Sequence, residues 1–180
     1  MGQFLFRMWG AATFNTGIYE EVEGDPRATK QAMAVVAIAS LSVGFGASGW
    51  DARAETIFTH SLVAGFLGLA AWTSWAFLTF EIGTRVLPER QTRVDIPQLL
   101  RTIGFSSAPA LFLIFGAFGG TTVVFAITAL WMLATMVMAV RQALDYSTTI
   151  RAVAVCVLGW VLTLVFVVVL GMVFGPTLEA

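Results

Sequence analysis

Reactive side chains are scarce in this chain. Cys156 is its single cysteine and His60 its single histidine. One cysteine excludes an intramolecular disulfide, and its place inside an apolar run reads as a small packing residue rather than a nucleophile. One histidine cannot supply a bis-imidazole haem or a multi-histidine metal site. His60 stands near the outer end of an apolar stretch, where an interfacial or packing role is expected. No cysteine pair, phosphate-binding loop or GxSxG elbow occurs, so no catalytic set, metal or cofactor is expected. Charge is scarce too. Only 12% of the 180 residues are charged, against about a quarter in a typical soluble domain, which is too few to coat a water-facing globule. The net charge of −1 offers nothing to attract nucleic acid.

What is abundant is apolar length. Hydrophobic residues make up 58% of the chain and the mean hydropathy is +0.84. A membrane helix needs about 20 such residues in a row. Five stretches qualify: Gln31 to Gly49, Ile57 to Phe80, Arg101 to Phe118, Thr121 to Val140 and Ala152 to Phe174. The first and third are the shortest. The third carries Pro109 near its middle, where the ring removes a backbone hydrogen bond and is expected to bend the helix. The pattern predicts an all-α, polytopic membrane bundle of about five spans over residues 31–175, preceded by a segment 1–30.

The basic residues orient this bundle. Arg7, Arg27 and Lys30 precede the first stretch. Arg85, Arg90, Arg93 and Arg101 lie between the second and third, and Arg141 and Arg151 between the fourth and fifth. Only Arg53 falls in the alternate segments. Nine of ten cations on one side predict a cytoplasmic N-terminus and an outer C-terminus in the inner membrane. The opening stretch, MGQFLFRMWGAATF, lacks the h-region and cleavage site of a secretory signal. Gln3 to Tyr19, with Phe4, Leu5, Met8, Trp9, Ala12 and Ile18 at roughly helical spacing, reads as a cytoplasmic interfacial helix. After it, Asp25 and Pro26 read as the cap and first position of the first span.

Polar residues gather where the spans end on the basic side. Glu81 and Arg85 are four apart in the favoured order for a helical pair, and Arg141 and Asp145 are also four apart. Asp95 and Arg101 lead into the third span, and Gln142 adjoins Arg141. Two readings stand side by side: interfacial anchors, or a cationic site for a lipid headgroup or a partner. Glycines at Gly44, Gly46, Gly49, Gly65, Gly68, Gly171 and Gly175 suit close helix packing within one chain or against a second copy. Trp72, Trp75, Trp131 and Trp160 fall within the spans, where they either fill the interior or line an apolar groove.

Read in order, GDPRATKQA (24–32), FEIGTRVL (80–87), VDIPQLLRTIGFSSAPALF (94–112) and AVRQALDYSTTIRAVAV (139–155) resemble the bacterial branch of the Yip domain family, the Ypt/Rab-interacting membrane proteins. The resemblance covers about residues 21–170. It rests on Asp25, Pro26, Ala28, Gly83, Thr84, Asp95, Leu100, Arg101, Gly104, Pro109, Arg141, Gln142, Ala143, Asp145 and Ser147. It implies a five-helix membrane domain with a cytoplasmic N-terminus. It does not bring the vesicle-traffic role of eukaryotic relatives, because the long cytoplasmic region they use is missing here. The expectation is a non-enzymatic scaffold, accessory subunit or membrane-organising protein, with membrane lipids, other membrane proteins or a second copy as partners. The alternatives are a lipid-handling protein with a cationic site and, less favoured, a small-solute transporter or channel.

Overall fold

The computed structural model describes residues 2–119 and 121–174. Among these residues the chain is all helix, with no strand. Seven α-helices follow in order: α1 Gly2–Ala12, α2 Thr16–Gly24, α3 Ala28–Ser48, α4 Ala54–Glu81, α5 Ile96–Ser106, α6 Thr121–Ala143 and α7 Thr149–Phe174. A π-helical turn, Ile82–Val86, extends α4, and a 3₁₀ helix, Ala108–Phe118, continues from α5.

Five segments are long and apolar enough to cross a membrane: Ala28–Ser48, Ala54–Val86, Ile96–Phe118, Thr121–Ala143 and Thr149–Phe166. They match the five expected stretches, each with a few more residues on the basic side. The third span is complete. It starts with a capping box, in which the Asp95 carboxylate accepts from the Gln98 amide and the Gln98 side chain accepts from the Asp95 amide. It ends beside the α3–α4 loop, where the Trp50 amide donates to the Ala117 carbonyl and the Trp50 ring lies 5.0 Å from that of Phe118. The polar-end loops therefore alternate with short turns at the opposite end, as five full crossings require.

Pro109 stands where the third span changes from α to 3₁₀ hydrogen bonding. The change follows from its missing N–H and from its ring, which disfavours a continued α turn. Pro109 is fully buried. The first span begins at Ala28, two residues later than expected for a cap at Asp25. Asp25 instead takes the Arg27 amide at 2.9 Å in a local turn ahead of the helix.

The segment expected as one interfacial helix is two helices, packed into the bundle. Tyr19 and Val22 of α2 share one core with Ala32 and Val35 of α3, Leu99 and Ile103 of α5, and Ala139 and Ala143 of α6. Cys156 is buried in a second cluster with Val140, Leu144 and Tyr146, as expected of a packing residue. Trp72 is buried and Trp131 half-buried, but Trp160 points outward from α7.

Small residues let α3 approach its neighbours. A Cβ at Gly44 would stand 2.5 Å from Ser61 Cα of α4, and one at Gly46 would overlap the Leu113 carbonyl of the third span. The expected Gly171–Gly175 motif lies partly outside the described residues. Because backbone cannot give way as a side-chain tip can, Gly46→Ala should destabilise the bundle by about 1–3 kcal/mol. Gly49→Ala is the wrong control, since Gly49 has φ +82°. Gly65→Ala, whose Cβ would meet only Leu41 at 3.6 Å, should be near neutral. Unfolding in mixed detergent micelles measures both.

Candidate functional site

The basic end of the bundle holds every polar residue singled out from the sequence. The structure gives each a specific partner. Arg101 is not at the mouth. The helix starts five residues earlier, at Ile96, so Arg101 lies in its second turn and is 6% exposed. Its guanidinium reaches across to the C-terminus of α2. Nε donates to the Val22 and Glu23 carbonyls at 3.0 Å each, and Nη2 also donates to Glu23. These are last-turn carbonyls with no helical partner, and a cation suits the negative end of the helix dipole.

A second buried guanidinium binds the other side of the same element. Arg7 of α1 is 2% exposed. It donates to Glu21 (2.9 and 3.0 Å), Asp25 (2.8 Å) and Gln31 of α3 (2.8 Å). Burial alone would lower its pKa, but the two carboxylates outweigh this and the net shift is upward. Asp25, bonded to Arg7 and to the Arg27 amide, is held below the usual carboxylate range. The sequence marks Arg7 only as a cation and Asp25 only as a cap and a family position; their pairing, and the contacts to Glu21 and Gln31, span 14 to 24 residues and follow no helical period.

The RQALDY segment forms a helix stop. The Tyr146 amide donates to the Arg141 carbonyl and the Asp145 amide to that of Gln142, both at 3.0 Å, with Asp145 at φ +52°. This is the Schellman arrangement with Asp in the left-handed position. Arg141 and Asp145 therefore do not form the ion pair that their spacing suggested, because the helix has ended between them. Arg141 donates instead to Thr149 Oγ1 at 3.1 Å and, at 3.4 and 3.5 Å, to the Tyr146 and Ser147 carbonyls. Gln142 bonds Glu20 of α2 at 3.2 Å.

The loop after α4 latches onto this stop. Tyr146 Oη donates to the Leu87 carbonyl at 2.7 Å, and burial pushes its hydroxyl up to about 12. Glu89 accepts from the Ser147 amide and hydroxyl and pairs with Arg151 at 3.1 Å. Desolvation works against this carboxylate, yet these partners hold its pKa below the usual range. Thr92 Oγ1 donates to the Leu144 carbonyl at 3.0 Å. The Glu81–Arg85 pair forms as predicted, at 3.0 Å, with Arg85 73% exposed. Such a pair adds little stability.

A polar cavity lies beside this turn. It has a volume of about 380 Å³ and is lined by Thr16, Met138, Arg141, Gln142, Asp145 and Tyr146. Among the described residues Arg141 has no carboxylate within ion-pair distance. Beside it, Glu23 is raised to about 7. Burial is the main cause, Asp145, Glu20 and Asp95 add repulsion, and Arg101 offsets part of this. No group of three or more His, Cys, Asp or Glu suited to a metal occurs among the described residues.

Two outcomes follow. Asp145→Gly removes a side chain from a left-handed position and should leave stability unchanged or raise it by up to about 1 kcal/mol. A loss of stability would restore the ion pair with Arg141. Glu23 has a folded pKa above its ordinary 4.5, so the folded state holds the extra proton. Stability should fall as pH rises from 4.5 to about 7 and level off above. Glu23→Gln should flatten that slope in thermal melts of the detergent-solubilised protein across the window.

Comparison of the chain with protein-family models, curated proteins and solved structures finds no match.

Proposed function

We propose that this chain is a non-enzymatic, membrane-organising protein of the bacterial inner membrane, with its basic end in the cytoplasm, and that it is a Yip-like scaffold or accessory subunit. The observation that carries the reading is the use made of the polar residues. Arg101, Asp95, Gln142 and the Arg141–Asp145 turn are engaged in closing helix ends and joining loops. The segments that carry the family resemblance coincide with these closures, which supports an architectural role for them. The basic bias, nine cations against Arg53, supports the orientation. Large apolar side chains such as Phe66, Leu130 and Ile150 face outward, a surface suited to lipid and to in-plane partners.

A second reading has its own support. Arg141, with neutral acceptors only, lines the polar cavity at the membrane edge, and that chemistry fits an anionic lipid headgroup. Native purification from the source membrane in mild detergent, with protein and lipid mass spectrometry, tests both. A stoichiometric membrane-protein partner is the expected result. A clean protein retaining one anionic lipid, lost on Arg141→Ala, would replace the scaffold reading with lipid handling. A cytoplasmic reporter active only on C-terminal fusions would overturn the orientation.

A further inference from the structure

The α1–α2 pair is a hairpin with a definite depth. α1 ends in a second Schellman turn, in which the Asn15 amide donates to the Gly10 carbonyl and the Phe14 amide to that of Ala11. Phe14 takes the left-handed position at φ +63°. Asn15 then caps α2 through its side chain and the Gly17 amide at 3.0 Å. Gly10 and Ile18 meet where the two helices cross, since a Cβ at Gly10 would stand 2.5 Å from Ile18 Cγ1. Arg7 and Gln3 tie the open end of the hairpin to Glu21 at the basic end.

The closed end lies far from there. The Ala12 carbonyl accepts from Trp131 Nε1 at 2.7 Å, and Tyr19 Oη donates to Ala11 at 3.0 Å and to Thr135 at 3.4 Å. Trp131 is ten residues from the start of α6 and twelve from its end, or about 15 and 18 Å at 1.5 Å per residue. The tip of the hairpin therefore sits level with the middle of a spanning helix. Its outer face is apolar, with Leu5, Phe6 and Trp9 being 60%, 61% and 65% exposed. Between it and the third span runs an apolar crevice of about 300 Å³, lined by Leu5, Met8 and Trp9 on one side and Ala108, Leu111 and Phe112 on the other.

We infer that the α1–α2 hairpin is a re-entrant wedge, inserted from the basic side with its tip at the middle of the spanning helices, and that the acyl chains of that leaflet cover its outer face. Lipid is the occupant because of depth. On its Leu5, Phe6 and Trp9 side the hairpin at that depth faces hydrocarbon, whereas Thr16 of the tip borders the polar cavity shared with Arg141. At the tip the Ala11 and Ala12 carbonyls and the Phe14 and Asn15 amides are bonded through the Schellman turn and the Trp131 and Tyr19 side chains, Asn15 caps the Gly17 amide, and Thr16 borders the polar cavity, a setting in which free backbone groups are tolerated. Seven helices then occupy one leaflet and five the other, an asymmetry that favours membranes curved toward the basic side. The inference deepens the membrane-organising reading and rests on it for its physiological meaning, but its geometry is tested separately.

Nitroxide labels on the full chain in phosphatidylcholine–phosphatidylglycerol nanodiscs provide the test. The background is Cys156→Ala, with single cysteines at Phe14, Trp9, Gln3 and Leu130, the last an outward position at the centre of α6. Collisions with oxygen and with a water-soluble nickel chelate read the depth. The expected result is that the Phe14 label matches Leu130, with nickel collisions lost and oxygen retained, while Gln3 reads as aqueous and Trp9 falls between. Nickel access at Phe14 equal to that at Gln3 would overturn the wedge. So would shielding from both probes at Phe14 and Trp9, which would mean that protein covers the face. If Phe14→Cys does not fold, Thr13→Cys, exposed at the same turn, takes its place under the same criteria. A partner found by purification together with an aqueous Phe14 would sink this inference alone.

Discussion

Two buried guanidinium groups organise the basic end. Arg7 and Arg101 flank α2 and bind its last turn from opposite sides, Arg7 through the carboxylates of Glu21 and Asp25 and Arg101 through the carbonyls of Val22 and Glu23. An arginine removed from water is costly unless its donors find partners. Helix ends have the complementary need, because their last carbonyls have no partner within the helix. Each requirement satisfies the other. The result fixes α2 against α5 and α3, and through the short turn at Phe14 it also fixes α1. Without that clamp the hairpin would have only the packing of side chains such as Ile18, Tyr19 and Val22 and a few long-range hydrogen bonds to hold its depth.

The same economy of partners explains the other polar segments. The stop after α6 exposes a run of backbone groups just where the chain reverses toward α7. Tyr146, Thr92 and the Glu89–Arg151 pair bring the α4–α5 loop onto it. That loop has no regular structure of its own between Leu87 and Asp95, so its conformation is set by these bonds. The polar ring is thus a set of joints. Arg141 stands apart, because its acceptors are all neutral and it also lines the polar cavity.

Much of the architecture was legible because hydrophobic length and cation placement are properties of segments and survive local detail. The five spans and the Glu81–Arg85 pair could be read from spacing. Arg101 was misplaced because the apolar count began at the wrong residue. Ile96–Leu100 is amphipathic, with Pro97 and Gln98 diluting its hydropathy, and the capping box was the better signal for the start of the helix. Arg141 and Asp145 misled for a different reason. A four-residue spacing means proximity only within a helix, and no periodic pattern shows that the helix stops at Ala143. Arg7, Glu89 and Arg151 could not have been found at all, since their partners are set by tertiary structure.

The depth of the hairpin was hidden by the same limitation, and it changes what the N-terminal segment is. As a sequence, residues 2–24 carry too few consecutive apolar residues to cross a membrane and enough charge, at Arg7, Glu20, Glu21 and Glu23, to suggest a surface helix. Folded, the charges all come to one end, because the chain doubles back at Phe14 and places position 7 beside position 21. The apolar residues Leu5, Phe6 and Trp9 collect on the outer face. A segment too short to span once can reach half-way twice, provided that its turn leaves few backbone groups facing lipid. Trp131, placed at the centre of α6 with its indole N–H facing inward to Ala12, takes up one of those groups. A tryptophan deep in a span is costly when its donor has no acceptor, so the hairpin satisfies Trp131 as much as Trp131 holds the hairpin.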